Sequence, residues 1–150
     1  MNMLLFCDFD GTISQRDVGY NLYHHFSGGR NDALLPDWKS GRMSSRECLT
    51  REAEMVTATA DEIMQFLDQF AIDPGFVEFL AHSRANEVEP VILSDGLDFY
   101  IRHILTRYGI QGMTVLSNIG HLNGNGMQIE FPRTNRVCKR CGTCKGEVIE

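Results

Sequence analysis

Two acids stand two residues apart at the start of the chain, in Cys7-Asp8-Phe9-Asp10-Gly11-Thr12. On an extended backbone, side chains at i and i+2 point to the same side, so Asp8 and Asp10 share a face. Side by side, the carboxylates repel unless a cation lies between them or one holds a proton. A hard divalent cation such as Mg²⁺, which takes carboxylate and carbonyl oxygens, resolves that conflict. Gly11 lets the backbone approach a ligand, and Thr12 offers a hydroxyl. The plainer reading is a surface turn at a strand end. The apolar run before the acids and the threonine after them argue for chemistry instead.

Other reactive types lie further along. Val91-Ile92-Leu93-Ser94-Asp95-Gly96 places a hydroxyl and an acid after an apolar run. Ser94 and Asp95 could cap a helix over 97–108, or serve a ligand. Near the C-terminus, Cys138, Cys141 and Cys144 form C-x2-C-x2-C running into Lys145. That spacing suggests a zinc knuckle, a redox disulfide or a local turn. Structural zinc wants a fourth ligand, which only Cys48 or His121 could bring from a distance, so the turn is preferred. His24, His25, His103, Arg42, Arg46 and Arg51 read as ordinary helix side chains, and Trp38 as core.

The elements that must position these groups follow from periodicity. Residues 3–7, 88–93 and 113–117 read as strands, with Pro90 in the first half of the second. Leu22, Tyr23 and Phe26 share a helical face behind a cap at Asp17. Helices follow from Ser44-Ser45, from Thr59 with Ile63, Phe66, Leu67 and Phe70 on one face, and from Pro74. Another runs over 97–108 and is closed by Gly109. Residues 121–132 carry Asn-Gly signals of a β-hairpin. Strand, helices, strand, helix, strand predicts an α/β protein with a mostly parallel sheet. Ligands of such sheets sit outside the carboxyl ends of the strands, where Asp8, Asp10 and Ser94 fall. The stretch 14–71 is too long for one crossover and reads as a helical insertion. The expected organisation is a core over 1–13 and 72–150 with a helical cap over 14–71.

Composition is that of one folded domain: 150 residues, 43% hydrophobic, 23% charged, net charge −6. That balance disfavours nucleic acid as a partner. The apolar runs are too short to span a membrane, and the first meets Asp8 too early for a signal peptide. Five cysteines, an odd number, suit reduced thiols. A cytoplasmic protein is expected.

DFDGT, followed by VILSDG and the C-G-x-C-K stretch, resembles the haloacid dehalogenase-like phosphatases, and the resemblance covers essentially the whole chain. It implies a Rossmann-like core and a Mg²⁺-dependent phosphomonoester hydrolase. Asp8 would be the nucleophile that becomes an aspartyl-phosphate, and Asp10 the general acid and base. Asp8 and Asp10 would bind the metal. Gly11, Thr12, Ser94, Asp95 and Gly96 would hold the phosphate, and Lys145 would hold the phosphoryl group and the nucleophile, with Lys139 as fallback. The family's fourth motif, an acidic loop after a further strand, is absent, and Glu150 stands five residues past Lys145. The expectation is therefore a piece of a longer protein. The alternative is a non-catalytic phospholigand-binding or zinc-knuckle module. The insertion after DFDGT matches the branch that includes phosphoserine phosphatases, although Asp17 stands where they carry a glutamate. The cysteine run and SDGLDFY point to the phosphatases of methionine salvage, which act on 2-hydroxy-3-keto-5-methylthiopentenyl-1-phosphate, and to phosphoethanolamine/phosphocholine phosphatases. A small phosphorylated metabolite is the implied partner.

Overall fold

The computed structural model describes residues 3–150. Strand β1 (Phe6–Cys7) pairs in parallel with β2 (Val91–Leu97), which pairs in parallel with β3 (Val115–Asn123). β4 (Gly126–Glu130) closes an antiparallel hairpin on β3. The sheet order is β1-β2-β3-β4. Ile92 and Leu93 are both buried, so β2 presents apolar residues to both faces, as a covered parallel strand must. The hairpin turn places Gly124 at φ 57°, a left-handed value that glycine adopts without strain.

Helices α1 (Val18–Phe26), α2 (Leu35–Lys39), α3 (Ser45–Glu54) and α4 (Ala60–Leu67) lie between β1 and β2, followed by α5 (Pro74–Ala85). α6 (Asp98–Arg107) connects β2 to β3, and α7 (Lys145–Ile149) follows the hairpin. Local chemistry explains the helix starts. The side chains of Asp17, Ser44, Thr59 and Asp73 accept amides of the first turns of α1, α3, α4 and α5. Thr59 and Glu62 form a reciprocal capping box. Gly109, at φ 67°, ends α6 as expected.

The helical insertion leaves and returns at one place. Ser14 bridges Ile72, the Gln15 amide donates to Ala71 O at 3.0 Å, and the Asp73 amide donates to Ile13 O at 2.8 Å. Leu22, Ile63, Leu67 and Phe70 from the insertion join Ile92, Leu97, Ile101 and Ile104 in one continuous core. Leu34, Met43 and Cys48 form a small second cluster. The hairpin tip reaches the insertion too, since Asn125 O accepts from the Ala58 amide at 2.9 Å. Among the described residues, no helix is long and apolar enough to cross a membrane.

Several expectations need correction. β1 is two residues long, although Leu5 O still accepts from the Val91 amide at 2.8 Å. β2 begins after Pro90, which has no amide to give the ladder, and runs on through Ser94–Gly96. Ser94 and Asp95 therefore do not cap α6; Leu97 stands at that position and offers no side-chain cap. The segment Arg30–Lys39 carries a 3₁₀ turn and α2, where no element was expected.

Candidate active site

A cavity of about 500 Å³ opens where β1 and β2 end, beneath α1, α2 and α3. Asp8, Asp10, Ser94, Asp95, Gly96 and Lys145 all border it. Gly11 and Thr12 do not. The Gly11 amide donates to Ser14 Oγ at 3.2 Å, and the Thr12 amide turns back to Phe9 O at 3.1 Å. Lys139 also lies elsewhere, beside α3. The pleat of a strand does not align the two acids, because β1 stops at Cys7. A tight turn on Phe9 O carries them instead.

Asp8 is about half exposed and sits 2.9 Å from Lys145 Nζ through Oδ2, while Oδ1 accepts the Phe9 amide at 2.8 Å. Lys145 is the first residue of α7. A buried latch fixes the approach to it. Asp95 Oδ1 accepts the Thr143 amide at 2.6 Å and Asn118 Nδ2 at 2.9 Å, and Thr143 Oγ1 donates to Asn118 Oδ1 at 3.1 Å. The chain crosses this latch at Gly142, where a Cβ would come within 2.4 Å of Asp95 Oδ1. Only glycine fits.

Asp10 is held differently. Its Oδ1 accepts the Val18 and Gly19 amides at 2.7 and 3.2 Å, the open N-terminus of α1. Its Oδ2 accepts from Tyr100 Oη at 2.6 Å. Burial pushes Asp10 up to about 6, helped by the charge of Asp17. The Tyr100 hydroxyl and the two amides pull it back, yet burial wins. Gly96 makes the close approach possible, since a Cβ there would lie 2.1 Å from Tyr100 Oη. Ser94 is buried, and its Oγ accepts the Gly96 amide at 2.9 Å, leaving its proton free to donate to a ligand.

Tyr100 was not singled out from the sequence. Its signal was there: it shares a helical face with Ile101 and Ile104, and a buried tyrosine hydroxyl needs a partner. Trp38 is a second correction. It is not core but 41% exposed, borders the cavity and donates from Nε1 to Ser45 Oγ at 2.9 Å. Asp17 caps α1 and also borders the cavity.

The remaining candidates lie outside. His24 faces Asp32 at 3.4 Å, His103 faces Asp68 at 2.8 Å, and His25 stacks on Phe66. Arg42 pairs with Asp37, Arg51 with Glu47, and Arg46 lies over the Phe131 ring. The cysteines are free thiols, with Cys144 at the N-cap of α7. Among the described residues, no group of three or more Cys, His, Asp or Glu is arranged to hold a metal.

The model of the haloacid dehalogenase-like hydrolase family matches residues 5–139. The chain is 28% identical to a 2-hydroxy-3-keto-5-methylthiopentenyl-1-phosphate phosphatase of Brevibacillus brevis over 98% of its length and 68% of the relative's. A Bacillus mycoides protein of the same name is 27% identical over 99% of the chain and 69% of the relative. Among solved structures, a haloacid dehalogenase family hydrolase from Salmonella enterica serovar Typhi superposes with a TM-score of 0.74 at 20% identity, over 87% of this chain and 46% of that one. A substrate-bound phosphoserine phosphatase superposes with a TM-score of 0.71 at 12% identity, over 87% and 63%. These two likenesses concern the fold alone. The chain thus spans about two thirds of the length of the named relatives and less of those structures. The chain belongs to the haloacid dehalogenase-like hydrolase family.

Proposed function

We propose that the protein is a Mg²⁺-dependent phosphomonoester hydrolase that works through an aspartyl-phosphate on Asp8. The observation that carries this is the contrast between its two acids. Asp8 is accessible and faces Lys145 at 2.9 Å, whereas Asp10 is partly buried and pushed up to about 6. A nucleophile needs the first environment, and a proton carrier working near neutrality needs the second.

In the first step, an Asp8 carboxylate oxygen attacks phosphorus and the ester P–O bond breaks. Asp10 gives its proton to the leaving alkoxide. In the second step, Asp10 takes a proton from water, whose oxygen attacks phosphorus. The acyl-phosphate P–O bond breaks and Asp8 is restored. Lys145 steadies the charge passed between Asp8 and the phosphoryl group. Ser94 donates its hydroxyl to a phosphoryl oxygen, with the Asp95 and Gly96 amides nearby.

Five carboxylates border the cavity (Asp8, Asp10, Asp17, Glu52 and Asp95) against two lysines, Lys39 and Lys145. This hard-oxygen, electronegative set fits Mg²⁺ and not a soft metal. Asp8 and Asp10 would hold the ion, which supplies neutralising charge at the carboxylate and the phosphate when bound. Residues 14–71 act as a cap that shields the cavity from water. The names of the relatives make the methionine-salvage ester the first substrate to try. A cytoplasmic location goes with this reading.

The test is Asp8→Asn in the full-length protein, read with p-nitrophenyl phosphate. Turnover is expected to fall by about a thousandfold or more, with melting unchanged because the side chain is half exposed. Undiminished turnover would refute the assignment.

A further inference from the structure

Helix α3 turns one stripe to the cavity: Ser45, Cys48, Leu49 and Glu52, at i, i+3, i+4 and i+7. Glu52 is the anomaly on it. It is 5% exposed, borders the same cavity as Asp8 and Ser94, and has no role in the proposed phosphate transfer. A buried carboxyl is costly unless its oxygens are satisfied. Its Oε1 accepts from Asn31 Nδ2 at 3.0 Å. Asn31 is itself fully buried, and its side chain is oriented by Ser27, whose Oγ donates to Asn31 Oδ1 at 3.4 Å. Among the described residues, no group donates to Glu52 Oε2, and no cation pairs with the side chain. Among the described residues no buried side-chain oxygen lacks a partner, so the unpartnered Oε2 is solvent-accessible, on a residue that borders the cavity. Leu35, Trp38 and Leu49 supply apolar surface beside it.

We propose that Glu52 is a specificity-determining residue that accepts a hydrogen bond from a donor on the substrate's carbon chain, a hydroxyl or an ammonium, while Leu35, Trp38 and Leu49 pack its apolar part. This rests on the phosphomonoester reading for where the phosphate sits. It selects the class of substrate: phosphomonoesters bearing a donor a few atoms from the phosphate over plain alkyl esters. Asn31 and Ser27 keep the acceptor aimed before any ligand arrives, so little ordering is lost on binding.

The test uses three esters of similar size: 3-hydroxypropyl, 3-aminopropyl and butyl phosphate. Turnover and Kd are measured for the full-length protein and for Glu52→Gln, which keeps the acceptor toward Asn31 and can turn a donor to the cavity. The unmodified protein should favour at least one donor-bearing ester over butyl phosphate by about tenfold. The variant should reduce that preference to about threefold or less, and the hydroxyl and amine arms tell which donor is meant. Should the glutamine variant not fold, Glu52→Asp, with its carboxyl drawn back by one methylene, should narrow the preference in the same way. Equal Kd values for all three esters, or a preference that survives substitution, would overturn the assignment. No turnover of any ester with the Kd preference intact would sink the hydrolase reading and leave Glu52 standing.

Discussion

Replacing Tyr100 with phenylalanine removes one oxygen and leaves the rest of the ring in place. The ring packs against Phe9 and Phe99, with centroids 6.1 and 5.8 Å apart, and phenylalanine keeps both contacts. The lost group is the hydroxyl that donates to Asp10 Oδ2 at 2.6 Å. A hydrogen bond to a charged acceptor contributes about 1.5–3 kcal/mol, and one to a neutral acceptor about 1 kcal/mol. The cost of the substitution should therefore depend on whether Asp10 is ionised. In its folded surroundings Asp10 is raised from 3.8 to about 6. Its favourable contribution is thus fully present below about 3.8 and lost as pH climbs through about 6. At 1.36 kcal/mol per pKa unit, the loss amounts to roughly 3 kcal/mol by pH 8.

Removing the hydroxyl takes away one of the groups that hold Asp10 down, so its value should rise by about one further unit. Urea unfolding of both proteins in a chelating buffer, from pH 4 to pH 8, reads this directly. At pH 4 Asp10 is protonated in both folded proteins, and the stability gap should be about 1 kcal/mol or less. Between pH 5 and pH 8 the gap should widen by about 1–1.5 kcal/mol as the carboxyl ionises without its donor. A gap of constant size across that range would refute the claim that Tyr100 acts on the charged form of Asp10. It would reduce the residue to packing.

Gly142→Ala should leave the core alone but drive a Cβ against Asp95 Oδ1 at 2.4 Å and Asn118 Nδ2 at 2.7 Å. Turnover should drop by at least about tenfold through the displaced Lys145, while urea unfolding moves by no more than about 2 kcal/mol. Thr59→Ala removes the capping box of α4, far from the cavity, and should cost about 1 kcal/mol in urea unfolding with kcat/KM unchanged.

The sequence made the helices that carry their own start signals legible. Asp17, Ser44, Thr59 and Pro74 marked α1, α3, α4 and α5 because capping is a local interaction, decided within four residues. The segment over Arg30–Lys39 escaped because a five-residue helix without a side-chain cap is shorter than any window in which periodicity shows. Trp38 was misplaced with it. Of the two roles open to Ser94, a helix cap or a ligand contact, the cap falls away. Its oxygen accepts the Gly96 amide, and β2 runs on to Leu97, so no helix start lies within its reach. Asp8, Asp10 and Ser94 could be picked out by residue type beside apolar runs and Lys145 by the resemblance of its C-G-x-C-K stretch, and the fold brings all four to one cavity. Tyr100 could not be tied to Asp10, because ninety positions separate them and only the folded chain brings α6 to the turn that carries Asp10. Glu52 was not singled out, because a single charge on a polar helix carries no sign of which face it occupies.

Why two acids stand so close together near the start of the chain is answered by their different surroundings. Phe9, fully buried between them, anchors the turn, and Asp8 and Asp10 leave it toward different neighbours. Asp8 meets a lysine at the rim, whereas Asp10 meets two helix amides and a tyrosine below it. Repulsion between the acids is thus absorbed by partners of each, and not by separating them. On the proposed reading, that difference in surroundings makes Asp8 the nucleophile and Asp10 the proton carrier. The division depends on three parts of the chain at once. α1 must begin at Val18, α6 must bring Tyr100, and the latch of Asp95, Asn118 and Thr143 must deliver Lys145. Exchanging the two acids is impossible at this site, although their side chains are identical. The acid at position 10 would still be drawn to the α1 amides, and the acid at position 8 to Lys145. Role here belongs to the position, and the position is made by the fold.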